Sequence, residues 1–144
     1  NMGLSEIFAI IIIHYIADFI FQDEKWVLGK SKNMVDLLSH TITYSAIWFM
    51  IGLFYIAIQL GVSDVPHGCN CACNLLAPLT FFTIITFILH TITDYFTSRV
   101  VSKKFANGEY GSTIPNIGAF SWIGGDQVLH YIQLFTTYYL LINM

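Results

Sequence analysis

Charged residues are scarce in this sequence. They make up 10% of its 144 residues, whereas soluble domains average about 25%. Hydrophobic residues make up 56%, and a soluble fold of this size cannot hide so much apolar surface. The shortage of charge therefore argues against an ordinary soluble domain. It predicts a single domain, residues 1–144, embedded in a membrane.

Other features are missing as well, and each excludes a class of function. No basic run exceeds two residues and the formal net charge is −3, which argues against nucleic acid as a partner. The sequence has no P-loop and no serine nucleophile elbow, so it lacks the motifs of those nucleotide and hydrolytic chemistries. The three cysteines, Cys69, Cys71 and Cys73, lack zinc-finger spacing. They are interpreted as ordinary loop thiols, as a bridge to a partner, or as a metal or redox loop with His67.

The apolar residues fall into four blocks of about 20 residues, the length a helix needs to cross a hydrocarbon core of ~30 Å. This pattern predicts an all-α fold, a four-helix transmembrane bundle. The predicted helices cover residues 4–21, 36–59, 79–101 and 121–142. The first block is not expected to be a cleavable signal peptide, because it contains His14 and Asp18 and lacks a positive start. The segment 61–78, which contains prolines, glycines and the cysteines, is predicted to be an irregular loop.

The basic residues predict the orientation. All six lie in two of the loops, and short loops rich in Lys and Arg stay cytoplasmic. They are Lys25, Lys30 and Lys32 in one loop, and Arg99, Lys103 and Lys104 in the other. Both termini and the cysteine loop are then expected on the non-cytoplasmic side, in a bacterial inner membrane.

Ionisable side chains occur within all four predicted helices. Each costs about 3 kcal/mol in hydrocarbon, so each needs a partner or a use. Three helices carry a His and an Asp four residues apart, which places both on one face, one turn apart. The seven residues are His14, Asp18, His40, His90, Asp94, Asp126 and His130.

The depths of these residues in the membrane also agree. With a rise of ~1.5 Å per residue, the three paired histidines lie roughly 12–13 Å from the cytoplasmic ends of their helices. The three aspartates and His40 lie roughly 6–7 Å from the same ends. The sequence therefore predicts a tier of histidines stacked on a tier of aspartates, with His40 near the aspartates.

Imidazoles and carboxylates that converge in this way are typical ligands of Zn²⁺, Mn²⁺ or Fe²⁺. All seven are predicted metal ligands, with Zn²⁺ preferred. Seven groups exceed one tetrahedral shell, so the surplus either orients the histidines or holds a second metal. The three aspartates are also predicted to be catalytic together with Gln22 and Gln127, and Tyr44 is a further hydrogen-bond donor for a substrate oxygen. Two alternatives stay open: an unmetallated network for helix packing, and a proton or ion path.

The segments HYIADFIFQ, LLSHTITY, HTITDYF and GGDQVLHY together resemble a family of small bacterial and phage membrane proteins that share a domain of unknown function. The resemblance spans nearly the whole chain, apart from the cysteine loop. It implies that nine positions characterise the family, namely His14, Asp18, Gln22, His40, His90, Asp94, Asp126, Gln127 and His130. A weaker similarity links the chain to membrane-bound metal-dependent hydrolases, which also place His and Asp on hydrophobic helices.

Two functions follow as hypotheses. The first is a membrane-embedded metal-dependent hydrolase that acts near the cytoplasmic interface on a lipid or lipid-linked phosphate, with an aspartate as general base. The second is a non-catalytic membrane module, either a metal or proton carrier or a structural subunit. Residues 45–58 are almost entirely apolar, which argues against a path through the membrane. Membrane lipid is the expected partner, and the small pair Gly124-Gly125 would allow a homo-oligomer.

Overall fold

The computed structural model describes residues 2–62, 69–110 and 117–143. The described residues are 89% helical and contain no strand, so the predicted all-α class is confirmed. A π-helical segment, Ile16–Ile20, follows the first helix directly. The helices are α1 (Leu4–Tyr15), α2 (Glu24–Gly29), α3 (Met34–Val62), α4 (Cys69–Ala106) and α5 (Ile117–Ile142).

The four long helices pack in a closed ring. Helix α3 packs against α4, α4 against α5, and α5 against α1. The π segment after α1 completes the ring by packing against α3, and the short α2 packs against α3 as well. Side chains from all four long helices therefore share one interior.

Capping residues explain where α2 and α3 begin. The Asp23 side chain accepts a hydrogen bond from the Lys25 N–H (2.8 Å) at the start of α2. The Asn33 side chain accepts one from the Val35 N–H (2.9 Å) at the start of α3. Both bonds satisfy a backbone donor that the first helical turn leaves free. Helix α3 agrees with the predicted helix 36–59, whereas the residues of α2 fall in a predicted loop.

The predicted loop 61–78 is wrong over its second part. Helix α4 begins at Cys69 and contains Pro78, while residues 63–68 lie outside the described residues. Proline removes a backbone donor and normally interrupts a helix. Helix α4 nevertheless continues through Pro78 to Ala106. The roles suggested for the three thiols stay predictions.

The interior of the ring is more polar than its surface. Among the described residues, twelve polar or charged side chains are buried but only eight hydrophobic ones. Large hydrophobic side chains are exposed on each long helix, among them Phe8, Phe54, Phe81 and Leu140. Soluble proteins show the opposite distribution. Two stretches, Met34–Gly61 and Asn74–Ala106, are long and apolar enough to cross a membrane.

An aromatic layer lies next to the buried polar groups. It consists of Tyr44, Trp48 and Phe82, with the Trp48 and Phe82 ring centroids 5.3 Å apart in an edge-to-face arrangement. Helices α3 and α4 approach closely where Gly52 faces Leu79. A Cβ atom at Gly52 would overlap the Leu79 side chain, so glycine permits this approach. This part of the interior is held by packing between apolar surfaces.

Candidate metal centre

The structure brings the seven predicted metal ligands into one group, which we call the His-Asp cluster. Each member has a nitrogen or oxygen within 3.9 Å of such an atom in another member. All are buried except Asp126, whose side chain is 14% exposed. His40 lies against two aspartates, as the depth argument predicted.

Three atoms at the centre of the cluster have the spacing of metal ligands. Asp18 Oδ1 lies 3.2 Å from His40 Nε2 and 3.6 Å from His90 Nε2, and the two nitrogens are 3.1 Å apart. Asp94 Oδ2 lies 3.0 Å from the His40 nitrogen and 3.6 Å from the His90 nitrogen. Tetrahedral Zn²⁺ with ligand distances of ~2.0–2.1 Å separates neighbouring ligand atoms by ~3.3 Å. The residues therefore fit a divalent cation.

The π segment positions Asp18. The Phe21 N–H donates to the Ile16 carbonyl (3.1 Å), a bond that spans five residues instead of four. This places one extra residue in the turn after His14, and π turns of this kind often occur at functional sites. Ala17 and Asp18 are the buried residues of the segment. The wide turn thus carries the Asp18 carboxylate toward His40 and His90.

His14 is held by hydrogen bonds at both ring nitrogens. Its Nε2 is 2.7 Å from Gln127 Oε1, and its Nδ1 is 2.8 Å from the Tyr44 hydroxyl. The Gln127 amide nitrogen donates to Asp18 (3.2 Å) and Asp126 (3.3 Å), so its oxygen accepts from His14 Nε2. His14 Nδ1 then accepts the Tyr44 proton. In this arrangement His14 and Gln127 orient the aspartates, and the ligand atoms of His14, Asp18 and His130 form a further group that could hold a metal ion.

Aromatic stacking fixes the His90 ring. The Tyr44 ring stacks on it with centroids 3.9 Å apart and an interplanar angle of 9°. The His130 ring covers it at 4.2 Å. Tyr44 had been predicted to contact a substrate, but the structure shows it bonded to His14 and stacked on His90. Its position holds two histidines in place.

Lys30 belongs to the site, although the sequence pattern indicates only a cation in a loop. Its Nζ donates to Asp94 Oδ2 at 2.8 Å, and its side chain is 19% exposed. Burial by itself lowers the pKa of the Lys30 ammonium, but the Asp94 and Asp18 carboxylates more than offset this, so the pKa lies above its ordinary value. No signal in the sequence separates Lys30 from the other two lysines of its segment.

Local packing brings Lys30 to the cluster. The residue follows α2 directly, and its N–H donates to the Trp26 carbonyl (2.8 Å). The preceding residue, Gly29, faces Asp36 in α3 so closely that a Cβ atom would overlap the Asp36 carboxylate. The close approach of α2 to α3 therefore depends on the missing side chain of Gly29.

Several polar atoms of the site have no hydrogen-bond partner among the described residues, although buried polar groups normally have one. They are Gln22 Oε1, His90 Nδ1, Asp94 Oδ1, Asp126 Oδ1 and both ring nitrogens of His130. Asp18 Oδ1, one of the three central atoms, also lacks a hydrogen-bond partner within the described chain, and a bound cation would give it a partner. This observation is independent of the ligand spacing.

A cavity of about 380 Å³ adjoins the cluster. Its lining includes Asp18, Gln22, Lys30, Asp126 and Gln127, so both predicted catalytic glutamines reach it. Cavities of this size are typical of small-molecule sites. The arrangement can hold a divalent cation at one end of a cavity and place the Asp126 carboxylate beside it.

No family model matches the chain, and no curated protein and no solved structure matches it. The resemblance found in the motifs stays a prediction.

Proposed function

We propose that this chain is an integral membrane protein whose four long helices all span the bilayer of a bacterial inner membrane. The polar interior and apolar exterior support this assignment, because charged and polar side chains are costly against lipid and therefore face the interior of a helix bundle, whereas apolar side chains can face lipid. Helix α1 and its π segment and helix α5 direct their polar groups toward the shared cluster. Helices α1 and α5 can cross the bilayer because packing against α3 and α4 keeps their polar groups away from lipid.

We further propose that both termini lie on the non-cytoplasmic side. The Arg99 guanidinium of α4 lies 3.6 Å from the Met34 sulfur of α3, so the basic end of α4 is next to the start of α3. The two groups of basic residues would then share one membrane face, which the positive-inside rule assigns to the cytoplasm.

Cysteine labelling tests this orientation. A membrane-impermeant thiol reagent added to intact cells should label the native cysteines of α4. In a variant without those cysteines, the same reagent should not label Lys25→Cys or Lys103→Cys. Labelling of Lys25→Cys from outside, with none at α4, would reverse the orientation.

The proposed activity is metal-dependent hydrolysis of a lipid or lipid-linked phosphate. The observation that carries it is the spacing of Asp18, His40 and His90, 3.1–3.6 Å between ligand atoms, beside a cavity. Asp18, His40 and His90 would hold the cation and leave the fourth position of a tetrahedral site open, and we propose Zn²⁺ first, with Mn²⁺ or Fe²⁺ as alternatives. When bound, such a cation would lower the pKa of a water at the open position toward ~7.

Asp126 is the proposed general base. It lines the cavity, and its Oδ1 has no hydrogen-bond partner among the described residues. Its other oxygen receives the Gln127 amide (3.3 Å), which holds the carboxylate in place. A carboxylate positioned in this way can accept a proton from a water at the cluster. The motif resemblance to a membrane-protein family and to membrane metal hydrolases agrees with this proposal.

A second candidate function is a structural network without metal. The hydrogen bonds from His14 to Tyr44 and Gln127 and the ion pair between Lys30 and Asp94 satisfy part of the cluster by themselves. A network of this kind would fix how the helices pack. It would need every member for stability, because removing one partner of a buried charge pair costs about 3–5 kcal/mol.

Metal analysis separates the two candidates. We expect the purified wild type to hold stoichiometric metal and His90→Ala to lose it while staying folded. Thr86→Ala is a matched control, since Thr86 is buried one turn before His90 and its hydroxyl has no partner among the described residues. Wild type without metal, together with early melting of Asp94→Asn, Asp126→Asn and His130→Ala, would favour the structural network.

Hydrolysis needs its own measurement. The wild type should cleave at least one member of a panel of phospholipids and lipid-linked phosphates. Asp126→Asn should retain its metal and lose turnover, because it removes the proposed base and leaves the three central ligands in place. A wild type that holds metal but cleaves nothing in the panel would leave a metal-binding protein and would reject the hydrolase.

A further inference from the structure

The cavity beside the cluster has walls of two kinds. Its polar wall combines Lys30 with the hydroxyls of Ser31, Thr97, Ser98 and Ser102. Its apolar wall includes Phe19, Leu28, Val101, Phe105, Trp122 and Ile123. A ligand that fills both parts needs a polar head and an apolar body.

Lys30 is the cation of the polar wall. Of the residues that line the cavity, it alone carries a positive side chain. Its ammonium has three donors, and within the described chain it makes one hydrogen bond, to Asp94 Oδ2. Two donors are left for a ligand. Lys25 and Lys32 belong to the same segment but are exposed and do not line the cavity.

The net charge of the side chains around Lys30 determines whether the cavity can bind an anion. Asp18, Asp94 and Asp126 carry three negative charges and Lys30 carries one positive charge, so with neutral histidines the site has a formal charge of −2. A divalent cation brings this sum to zero. Without metal, the net negative charge of the site repels an anionic group of a ligand. With metal, the net charge is zero and this repulsion is removed. The effect is large because charges at such short range interact strongly in a low-dielectric interior.

We infer that the cavity binds an amphiphile with a phosphate head group, and that Lys30 binds the head group's oxygens while the apolar body lies against the wall formed by Phe105 and Trp122. The inference rests on the metal centre of the proposed function but not on its catalysis. An ammonium binds phosphate as a point charge, without the geometry that arginine requires. Lys30 is thus a residue that selects the charge of the ligand.

Calorimetric titration of the zinc-loaded full chain in a neutral maltoside detergent tests the inference. The probes are hexyl phosphate, inorganic phosphate and hexanol, each corrected for its heat with empty micelles. We expect hexyl phosphate to bind at least about tenfold more tightly than inorganic phosphate, because its chain adds apolar contact. Hexanol should bind weakly. Removing zinc with a chelator should abolish binding of hexyl phosphate.

Variants of Lys30 then isolate the charge. Lys30→Met should weaken hexyl phosphate binding by at least about tenfold, the usual effect of losing a charged hydrogen bond. It should leave hexanol binding unchanged. Lys30→Arg should restore most of the affinity, and Lys25→Met should bind as the wild type does. Zinc content and circular dichroism confirm that each variant is folded.

Each other outcome has a definite meaning. Equal affinity for hexyl phosphate and inorganic phosphate would make this a free-anion site and would overturn the amphiphile. An unchanged affinity in Lys30→Met would overturn the role of Lys30. If Lys30→Met does not fold, Lys30→Gln is the second variant, since it also removes the charge, and an unchanged affinity in it would likewise overturn the role of Lys30. Zinc-loaded protein that binds hexyl phosphate but hydrolyses nothing would reject the hydrolase alone, and protein without zinc or binding would reject both.

Discussion

The two halves of the helix ring differ in what holds them together. In the polar half, charged and hydrogen-bonding groups are in contact, from His14 with Gln127 at 2.7 Å to His14 with Asp18 at 3.9 Å, and Lys30 lies 2.8 Å from Asp94. In the apolar half, Trp48 packs on Phe82 and Gly52 admits Leu79. Helices α3 and α4 contribute to both halves, whereas the π segment and Lys30, which follows α2, contribute to the polar half.

This difference teaches that the two halves should respond to different perturbations. Packing in the apolar half depends on shape, and lipid tails are as apolar as the side chains they replace. The polar half depends on charge balance, which a bound cation changes directly. Loss of metal should therefore weaken the polar half and leave the apolar half unaffected.

The largest effect is expected for Lys30→Met in metal-free protein. The change leaves Asp94 buried without its ammonium partner, at a cost of about 3 kcal/mol. Added zinc should recover most of this loss, because the cation replaces the lost positive charge. Thermal unfolding of the variant with and without zinc measures the difference.

Lys25→Met is the control for this variant, since Lys25 is exposed and lies in the same segment. Its melting temperature should not change in either condition. An equal destabilisation of Lys30→Met with and without zinc would contradict the charge-balance account of the polar half.

A smaller effect is expected for Phe82→Ala in the apolar half. The transfer term of a soluble core is largely absent in lipid, so the cost is the cavity, about 2 kcal/mol. Zinc content and zinc affinity should equal those of the wild type. Denaturant unfolding in mixed micelles measures the free energy of unfolding, and metal analysis measures the zinc content. Loss of zinc in this variant would show that the two halves are coupled.

The smallest effect is expected for Gly52→Ala, about 1 kcal/mol of destabilisation, because the Leu79 side chain can turn aside at some cost. Gly61→Ala is the matched substitution in the same helix, where a Cβ atom would meet nothing within 4 Å. It should be neutral or slightly stabilising, since alanine favours a helix over glycine. Equal stability of the two variants would mean that the close approach at Gly52 contributes nothing.

The sequence predicted the helices with long apolar runs best. The predicted helix 36–59 corresponds to Met34–Val62, because its apolar run is continuous and its first turn has a capping residue. The predicted start of α4 was wrong by ten residues, Leu79 instead of Cys69, because proline usually ends a helix and here does not. Helix α2 has six residues, too few to show a hydrophobic period.

The convergence of the candidate site was predictable, but its internal order was not. A spacing of four residues on three helices fixes which face each pair occupies, and matched depth brings the faces together. The spacing does not say that His14 bonds to Tyr44 and Gln127, or that Lys30 reaches Asp94. Those contacts depend on the π segment and on the approach of α2 to α3, which arise from tertiary packing.

The π turn after His14 also bears on how such a site can arise or disappear in evolution. An extra residue in one turn is the trace that an insertion leaves in a helix. Deleting one residue there would rotate the remainder of the helix by about 100° relative to His14 and turn the Asp18 carboxylate away from the other ligands. A deletion of one codon would then remove Asp18 from the metal centre, although every ligand residue would still be encoded.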